Sequence, residues 1–167
     1  CGESPKPAVA VSGSTVHIVS WTGSDCTYKG PYFNSPIGSY CPGNGGLIYY
    51  KSTNGGNSFG SPQTLDDFVD SYVGSSTSMA VSGNNVHILS SEGGEVYYTR
   101  STNAGNSFST TMLDSSSVGN VIVASGNNVY VGFGTAPNFS IMRSDDNGNT
   151  FSPIGEIPSE YDILEIA

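Results

Sequence analysis

The sequence has few charged residues and very few basic ones. Charged residues make up 11% of the 167 residues, only five are Lys or Arg, and the formal net charge is −9. Nucleic acids and anionic membrane surfaces are bound by clustered cations, so this composition argues against both as partners. Glycine and small polar residues are abundant instead, and an acidic, hydroxyl-rich surface is typical of a soluble extracellular protein.

Helical and membrane-spanning patterns are also missing. No apolar run approaches the roughly 20 residues that a membrane span needs. No apolar pattern repeats at the period of about 3.6 residues that marks a helix. Short β-branched and aromatic runs separated by Gly and Asn favour strands joined by tight turns, so we predict an all-β fold without a membrane span.

Cysteine is scarce, with three in the chain. Cys26 and Cys41 lie in one segment rich in Gly, Pro and Tyr, and a disulfide between them would contribute about 3 kcal/mol. A disulfide implies an oxidising compartment, so we predict a secreted or cell-surface protein. Cys1 resembles the lipid-modified first residue of a mature bacterial lipoprotein. Pairing outside this segment, or an arbitrary cut at this point, is the favoured explanation.

A hairpin pattern occurs three times. Residues 8–19, 79–89 and 121–132 each contain a β-run, a Ser-Gly turn and a second β-run. The glycines of these turns are Gly13, Gly83 and Gly126, and glycine supplies the positive φ that tight hairpin turns require. The pattern predicts three similar β-hairpins.

A second motif follows each hairpin. It occupies residues 52–59, 101–108 and 144–151, which we call the repeat turns. The spacing from Gly83 to Ser101 is 18 residues, and from Gly126 to Ser144 it is again 18. A shared register of this kind indicates a repeat architecture.

The repeat turns have a physical logic. The third residue offers a side-chain oxygen to turn amides, the fifth is a glycine, and the eighth is a phenylalanine that we expect to pack between neighbouring sheets. We interpret the following residues as structural: Ser52, Asn54, Gly56, Phe59, Ser101, Asn103, Gly105, Phe108, Ser144, Asp146, Gly148 and Phe151.

The repeat turns resemble the Asp-box, the bacterial neuraminidase repeat Ser-x-Asp-x-Gly-x-Thr-Trp/Phe. Residues 144–151 match it best, whereas Asn54 and Asn103 stand where the family prefers Asp, and Phe replaces Trp throughout. The chain is also similar to secreted archaeal and bacterial repeat proteins. The resemblance implies a sialidase-like β-propeller. It is weak on function, because Asp-boxes occur in sialidases, other glycosidases, sorting receptors and uncharacterised secreted proteins.

The resemblance implies four antiparallel strands per blade. We predict blade one over 7–66 with an inserted loop over 22–45, blade two over 78–114, blade three over 119–157, and the first strand of a fourth blade over 161–167. Such blades are expected in a ring of about six to eight. Completion of the last blade in trans, or a six-bladed ring built from two copies, are alternatives.

Strand polarity puts the repeat turns at one end of the blades and the two long connections, about 22–45 and 66–77, at the other. Long loops at one face are where binding residues are expected. Aromatic and acidic side chains there are candidate sugar ligands, or else pack and solvate the loops: Tyr28, Tyr32, Tyr40, Asp66, Asp67, Asp70 and Tyr72. The three aspartates are also a weak Ca²⁺ candidate, and no other cofactor is expected.

Other polar residues fall at repeat positions. His17 and His87 occupy equivalent positions, so a structural role is favoured over a metal pair, and Lys51, Arg100 and Arg143 each precede a repeat turn. Sialidases bind the substrate carboxylate with three arginines, whereas this chain has two, and no local motif marks the family's Tyr/Glu nucleophile pair. Asn138-Phe139-Ser140 is an N-glycosylation pattern.

These observations favour a non-catalytic extracellular propeller segment that serves cell-surface structure, adhesion or glycan or protein binding. One alternative is a fragment of a sialidase-like glycoside hydrolase whose catalytic residues lie outside this chain. Another is a repeating subunit of an extracellular filament or sheath. The expected partners are other blades of the same or another chain, and a glycan or a surface protein.

Overall fold

The computed structural model describes residues 7–22, 46–66, 76–135 and 138–158. These residues form twelve strands and no helix. Sheet one contains β1 (Ala8–Ser12), β2 (Thr15–Thr22), β3 (Gly46–Ser52) and β4 (Gln63–Asp66). Sheet two contains β5 (Ser76–Ser82), β6 (Asn85–Glu92), β7 (Glu95–Ser101) and β8 (Ser109–Asp114). Sheet three contains β9 (Val118–Ser125), β10 (Asn128–Thr135), β11 (Asn138–Ser144) and β12 (Ser152–Pro158).

Each sheet is an antiparallel meander in which sequential strands are neighbours. The first turn of each sheet has a glycine with positive φ, at 59° for Gly13, 60° for Gly83 and 56° for Gly126. This is the backbone conformation that a two-residue hairpin loop requires and that glycine adopts without a steric penalty. The predicted all-β fold of four-stranded antiparallel sheets is therefore confirmed.

The sheets pack face to face in chain order, and the core lies between them. One cluster joins the β2 and β3 side chains of sheet one, including Val19 and Leu47, to Val86 and Ile88 of sheet two. A second cluster joins sheet two to sheet three in the same way. Alternate residues of a strand pack against the preceding sheet and the following sheet, because side chains along a strand point to opposite faces. We call the face of a sheet toward the preceding sheet its leading face, and the other its trailing face.

The turns of each sheet lie at two opposite ends of the strands. At one end, each repeat turn is bonded to the first hairpin turn of its own sheet: Gly55 N–H donates to the Ser14 carbonyl at 2.8 Å, and equivalent bonds occur in sheets two and three. At the opposite end, Ser117 N–H donates to the Gly94 carbonyl at 2.8 Å, which ties the connection between sheets two and three to the β6–β7 turn. The inserted segment beyond Thr22 and the predicted strand over 161–167 lie outside the described residues.

Candidate functional site

The repeat turns share one hydrogen-bond pattern. In sheet one, Ser52 Oγ accepts from the Gly56 N–H at 3.0 Å, and Asn54 Oδ1 accepts from the Ser58 N–H at 3.0 Å. Sheets two and three repeat both bonds at 2.8–3.0 Å. The third residue is therefore an acceptor for turn amides, and these bonds hold the turn without help from a neighbouring sheet.

An aspartate and an asparagine fill the third position in different ways. Asn103 Nδ2 donates to Ser107 Oγ at 2.9 Å, whereas Asp146 Oδ2 accepts from Thr150 Oγ at 2.7 Å. The hydroxyl reverses its role, so both side chains fit one turn geometry. Donors from Thr150 and Ser144 hold the pKa of Asp146 well below its ordinary value, because they stabilise the carboxylate.

A tyrosine of each of the first two sheets reaches across to the next repeat turn. Tyr49 is 1% exposed, its hydroxyl lies 2.5 Å from Nδ1 of His17, and a Cβ at Gly105 of sheet two would lie 1.9 Å from that hydroxyl. The ring of Phe108 meets the Tyr49 ring edge-on at 4.7 Å. The next interface repeats this with other residues, which are His87, Tyr98, Gly148 and Phe151. The fifth glycine of the turn thus leaves space for a tyrosine of the preceding sheet.

Both histidines are neutral parts of this contact. Burial and then the charge of Arg100 lower the pKa of His87 to about 4. Burial and then Lys51 lower the pKa of His17 in the same direction. Burial also raises the pKa of Tyr49 to about 12. The Nδ1 atom of each histidine has a tyrosine hydroxyl as its partner.

Lys51 and Arg100, which precede the first two repeat turns, each bind the following repeat turn. Lys51 Nζ donates to the Ala104 carbonyl at 3.2 Å and to Asn106 Oδ1. Arg100 donates to the Asn147 carbonyl at 3.1 Å and to Asn149 Oδ1 at 3.4 Å. The same two turn positions, the fourth and the sixth, accept the cation in both interfaces. These positions are a carbonyl and an amide oxygen, so the contact needs no carboxylate.

Serine side chains add a third repeated bond between sheets. Ser12 Oγ donates to the Gly83 carbonyl at 3.1 Å, and Ser82 Oγ donates to the Gly126 carbonyl at 3.1 Å. The expectation that the closing phenylalanine packs between sheets holds for Phe108 and Phe151. Phe59 is 42% exposed, so for this residue the expectation stays a prediction. No sheet precedes sheet one among the described residues, so the tyrosine that covers the other two rings has no counterpart there.

The end opposite the repeat turns carries a group of acidic residues and a tyrosine. β6 and β7 are joined by Glu92-Gly93-Gly94-Glu95, with φ of 61° and 89° at the two glycines. Glu92 and Glu95 pair directly across the strands, and Glu92 is 7% exposed. Two glutamates directly opposite one another destabilise a strand pair when both are charged.

Tyr97 lies beside this turn and near the end of sheet one. Its hydroxyl donates to Glu95 Oε2. The pKa of Tyr97 is raised to about 12, first by this hydrogen bond, then by burial and by the charges of Glu95, Asp66 and Glu92. We call Asp66, Glu92, Glu95 and Tyr97 the acidic group. Asp66, Glu95 and Tyr97 are partly exposed, so their oxygens can bond with ligand hydroxyls, whereas both carboxyl oxygens of Glu92 are buried.

Of the sequence-predicted ligand residues, the described chain contains Asp66, which belongs to the acidic group. Tyr28, Tyr32, Tyr40, Asp67, Asp70 and Tyr72 lie outside the described residues, as do Cys26 and Cys41, so those predictions stay predictions. Glu92, Glu95 and Tyr97 were missed. The signal that would have found them is the Glu-Gly-Gly-Glu hairpin turn, because strand polarity puts that turn at the same end as Asp66.

Within the described ranges, no group of three or more His, Cys, Asp or Glu converges on a possible metal site. No helix in that part of the chain is long and apolar enough to cross a membrane. Asn138, the predicted glycosylation residue, begins β11 and is exposed.

Comparison with known proteins gives a fold. No family model and no curated protein matches the chain. Among solved structures, Trypanosoma rangeli sialidase in complex with 2,3-difluorosialic acid is 15% identical, with 88% of this chain and 27% of that chain covered, at a TM-score of 0.55. NanB sialidase from Streptococcus pneumoniae is 19% identical over 69% of this chain and 19% of its own, at a TM-score of 0.51. YCF48 from Cyanidioschyzon merolae matches over 80% of this chain and 38% of its own, at 14% identity and a TM-score of 0.44.

The described sheets are blades of a sialidase-like β-propeller. The two sialidase matches and the face-to-face order of three four-stranded meanders carry this conclusion. The chain spans less than two fifths of the length of each of these proteins. At such identities the likeness concerns the fold alone.

Proposed function

We propose that this chain is a non-catalytic segment of an extracellular β-propeller that binds neutral, hydroxyl-rich glycans at the end bearing the acidic group. We also infer that the repeat turns are Asp-boxes. The observation that carries the binding proposal is the separation of charge along the blades. The acidic group lies at one end, and the basic residues of the described chain lie at the other, where Lys51 and Arg100 join sheets.

This separation selects the ligand class. A sialic acid or another carboxylated sugar brings a negative charge that would meet Asp66, Glu92 and Glu95 with no cation nearby in the described chain. A neutral sugar brings hydroxyls that donate to carboxylate oxygens and to the phenol oxygen of Tyr97, whose own proton is donated to Glu95.

A glycan array with matched neutral and sialylated oligosaccharides tests the proposal. We expect binding to neutral members, and a loss of about tenfold or more for Tyr97→Phe or Glu95→Gln, because hydrogen bonds to charged groups are worth about 1.5–3 kcal/mol. Tyr130→Phe is the matched control, since Tyr130 lies at the opposite end beside Arg143. A preference for sialylated members, or equal losses for Tyr97→Phe and Tyr130→Phe, would contradict it.

A glycoside hydrolase fragment is the second candidate, favoured by the hydrogen bond between Tyr97 and Glu95 on a sialidase-like fold. Against it, the carboxylates around Tyr97 disfavour the phenolate that a nucleophile needs. Release of a fluorescent leaving group from a sialoside, abolished by Tyr97→Phe, would establish hydrolysis and overturn the non-catalytic assignment.

We further propose that the protein is secreted or at the cell surface, where a Cys26–Cys41 disulfide and a glycan on the exposed Asn138 would form. Thiol titration before and after reduction tests the disulfide, and a mobility shift on enzymatic deglycosylation, absent in Asn138→Gln, tests the glycan. Free thiols at both cysteines in the secreted protein would contradict the first prediction.

A further inference from the structure

The leading face of sheet one has the composition of a buried interface but is open. Val9, Val11 and Phe59 on this face are 57%, 61% and 42% exposed. Their counterparts in sheet two, which are Met79, Val81 and Phe108, pack against sheet one. An exposed apolar face of this kind marks an interaction surface.

The leading face of sheet one also has the two polar acceptors that bind a basic side chain in the other interfaces. Lys51 binds the fourth and sixth residues of the sheet-two repeat turn, and the corresponding residues of sheet one are Gly55 and Asn57. Asn57 uses its Nδ2 within its own turn, on the Asn54 carbonyl. Within the described ranges, no basic side chain reaches the Gly55 carbonyl or Asn57 Oδ1. The apolar surface and the two acceptors together form the receiving half of the repeated interface.

Sheet three carries the other half. Arg143 stands directly before its repeat turn, as Lys51 and Arg100 do, and is exposed. No repeat turn follows it in the described chain. Its guanidinium instead donates to Asn128 Oδ1 at 2.9 Å and lies over the Tyr130 ring at 5.9 Å. Sheet three therefore has the basic residue of the repeated contact, but this residue bonds within its own sheet because no following repeat turn is described.

We propose that the trailing face of sheet three packs on the leading face of sheet one of a second copy of this chain. Arg143 of one copy would then bind the Gly55 carbonyl and Asn57 Oδ1 of the other, and Ile141, which stands at the tyrosine position, would cover Phe59. Two copies contribute six of the described sheets, within the range of about four to eight blades in which propellers close. We call this contact between copies the joint. It pairs a trailing face with a leading face, that is, head to tail, so a closed ring is a dimer with two equivalent joints.

The joint between copies is weaker than the two interfaces within the chain. Sheet three has Tyr130 and Ile141 where sheet two has His87 and Tyr98, so no His–Tyr pair reaches across. Gly132 also replaces Leu89, which removes apolar contact from the trailing face. A reversible dimer, whose population depends on protein concentration, is therefore expected.

Sedimentation velocity across a concentration series tests the proposal on the whole chain. The Cys1→Ser variant prevents a disulfide between copies from producing the same result. We expect a shift from 17.3 kDa to twice that mass as concentration rises, and a loss of at least tenfold in association for Val11→Glu. Met112→Glu is the matched control, because Met112 is 51% exposed on the outer strand β8 and has no place in the joint.

Mixing two variants tests the head-to-tail geometry. Val11→Glu blocks the leading face and Arg143→Glu blocks the trailing face, so each variant alone should be monomeric, and their equimolar mixture should recover a heterodimer through the one intact joint. A chain that stays monomeric at every concentration overturns the proposal and leaves the face to a different polypeptide. Persistence of the Arg143→Glu dimer overturns it too, because that would mean leading faces pack on each other.

Discussion

Substituting Gly105 by alanine tests whether the sheets are held by the tyrosine that reaches each repeat turn. Gly105 has a φ of +75°, and an added Cβ would lie 1.9 Å from the Tyr49 hydroxyl and 2.7 Å from Cζ. Tyr49 has little freedom to withdraw, because its side chain is 1% exposed and bonded to His17. The substitution must therefore strain the turn or move Tyr49 off its partner.

The expected loss in the free energy of unfolding of Gly105→Ala has two parts. A left-handed conformation costs an L-residue about 1–2 kcal/mol, and the reduced entropy of the unfolded chain returns about 0.4–1 kcal/mol of this. Leaving the buried His17 and Tyr49 groups without each other adds about 1–3 kcal/mol. The free energy of unfolding should thus fall by about 1–5 kcal/mol, which lowers Tm by roughly 2–20 °C for a domain of this size.

Gly83→Ala is the matched control for Gly105→Ala. Gly83 has a φ of +60° and nothing within 4 Å of an added Cβ, so Gly83→Ala should cost only the energy of the left-handed backbone conformation. Urea unfolding followed by tyrosine fluorescence measures both variants. Equal losses for the two glycines would refute the reasoning, since they would show that the contact with Tyr49 contributes nothing.

Three further predictions concern the same interfaces. Arg100→Met removes the bonds to Asn147 and Asn149 and should lower the free energy of unfolding by about 1–2 kcal/mol in urea, whereas Arg143→Met in a monomeric background should cost less. His87 is neutral in the fold, so stability should be full above pH 6.5 and decline as pH falls to about 4, by up to about 1.4 kcal/mol per pH unit, and His87→Gln should flatten this profile. Asp146→Asn copies the turns of sheets one and two, so it should change little at neutral pH and remove a loss of stability that begins as pH falls below about 4.

Each of these has an outcome that contradicts it. Equal effects of Arg100→Met and Arg143→Met would mean that the contact between sheets adds nothing to a surface arginine. An unchanged acid profile in His87→Gln would assign the titration to other groups, of which His17 is the first to test by the same substitution. A large loss at neutral pH in Asp146→Asn would show that Thr150 cannot exchange its donor role for an acceptor role.

Much of the fold was predictable because its signals are local. Hairpin turns with Gly13, Gly83 and Gly126, and the spacing to each repeat turn, lie within a few tens of residues. The acceptor role of Asn54, Asn103 and Asp146 follows from turn chemistry alone. These features require no knowledge of how one sheet sits on another.

The contacts between sheets were not predictable in the same way. Tyr49 and Gly105 belong to different sheets, and nothing in the pattern around either residue indicates its partner. The basic residues were identified as a repeat position, but their acceptors in the next turn depend on the stagger of neighbouring blades. The acidic group was missed for a related reason: Asp66 and Tyr97 meet only after sheets one and two are packed.

The tyrosine contact has a consequence for how this protein can be divided or recombined. The residues that form one tyrosine contact lie on two strands of one sheet, such as β2 and β3, and on the repeat turn of the next sheet. A single blade therefore does not contain a complete contact. A fragment cut neatly between two blades separates Tyr98 from Gly148 and uncovers an apolar leading face. A junction inside sheet two, between its β-hairpin and its repeat turn, still separates Tyr49 from Gly105, so blades can be exchanged only where the tyrosine and glycine of each new interface match.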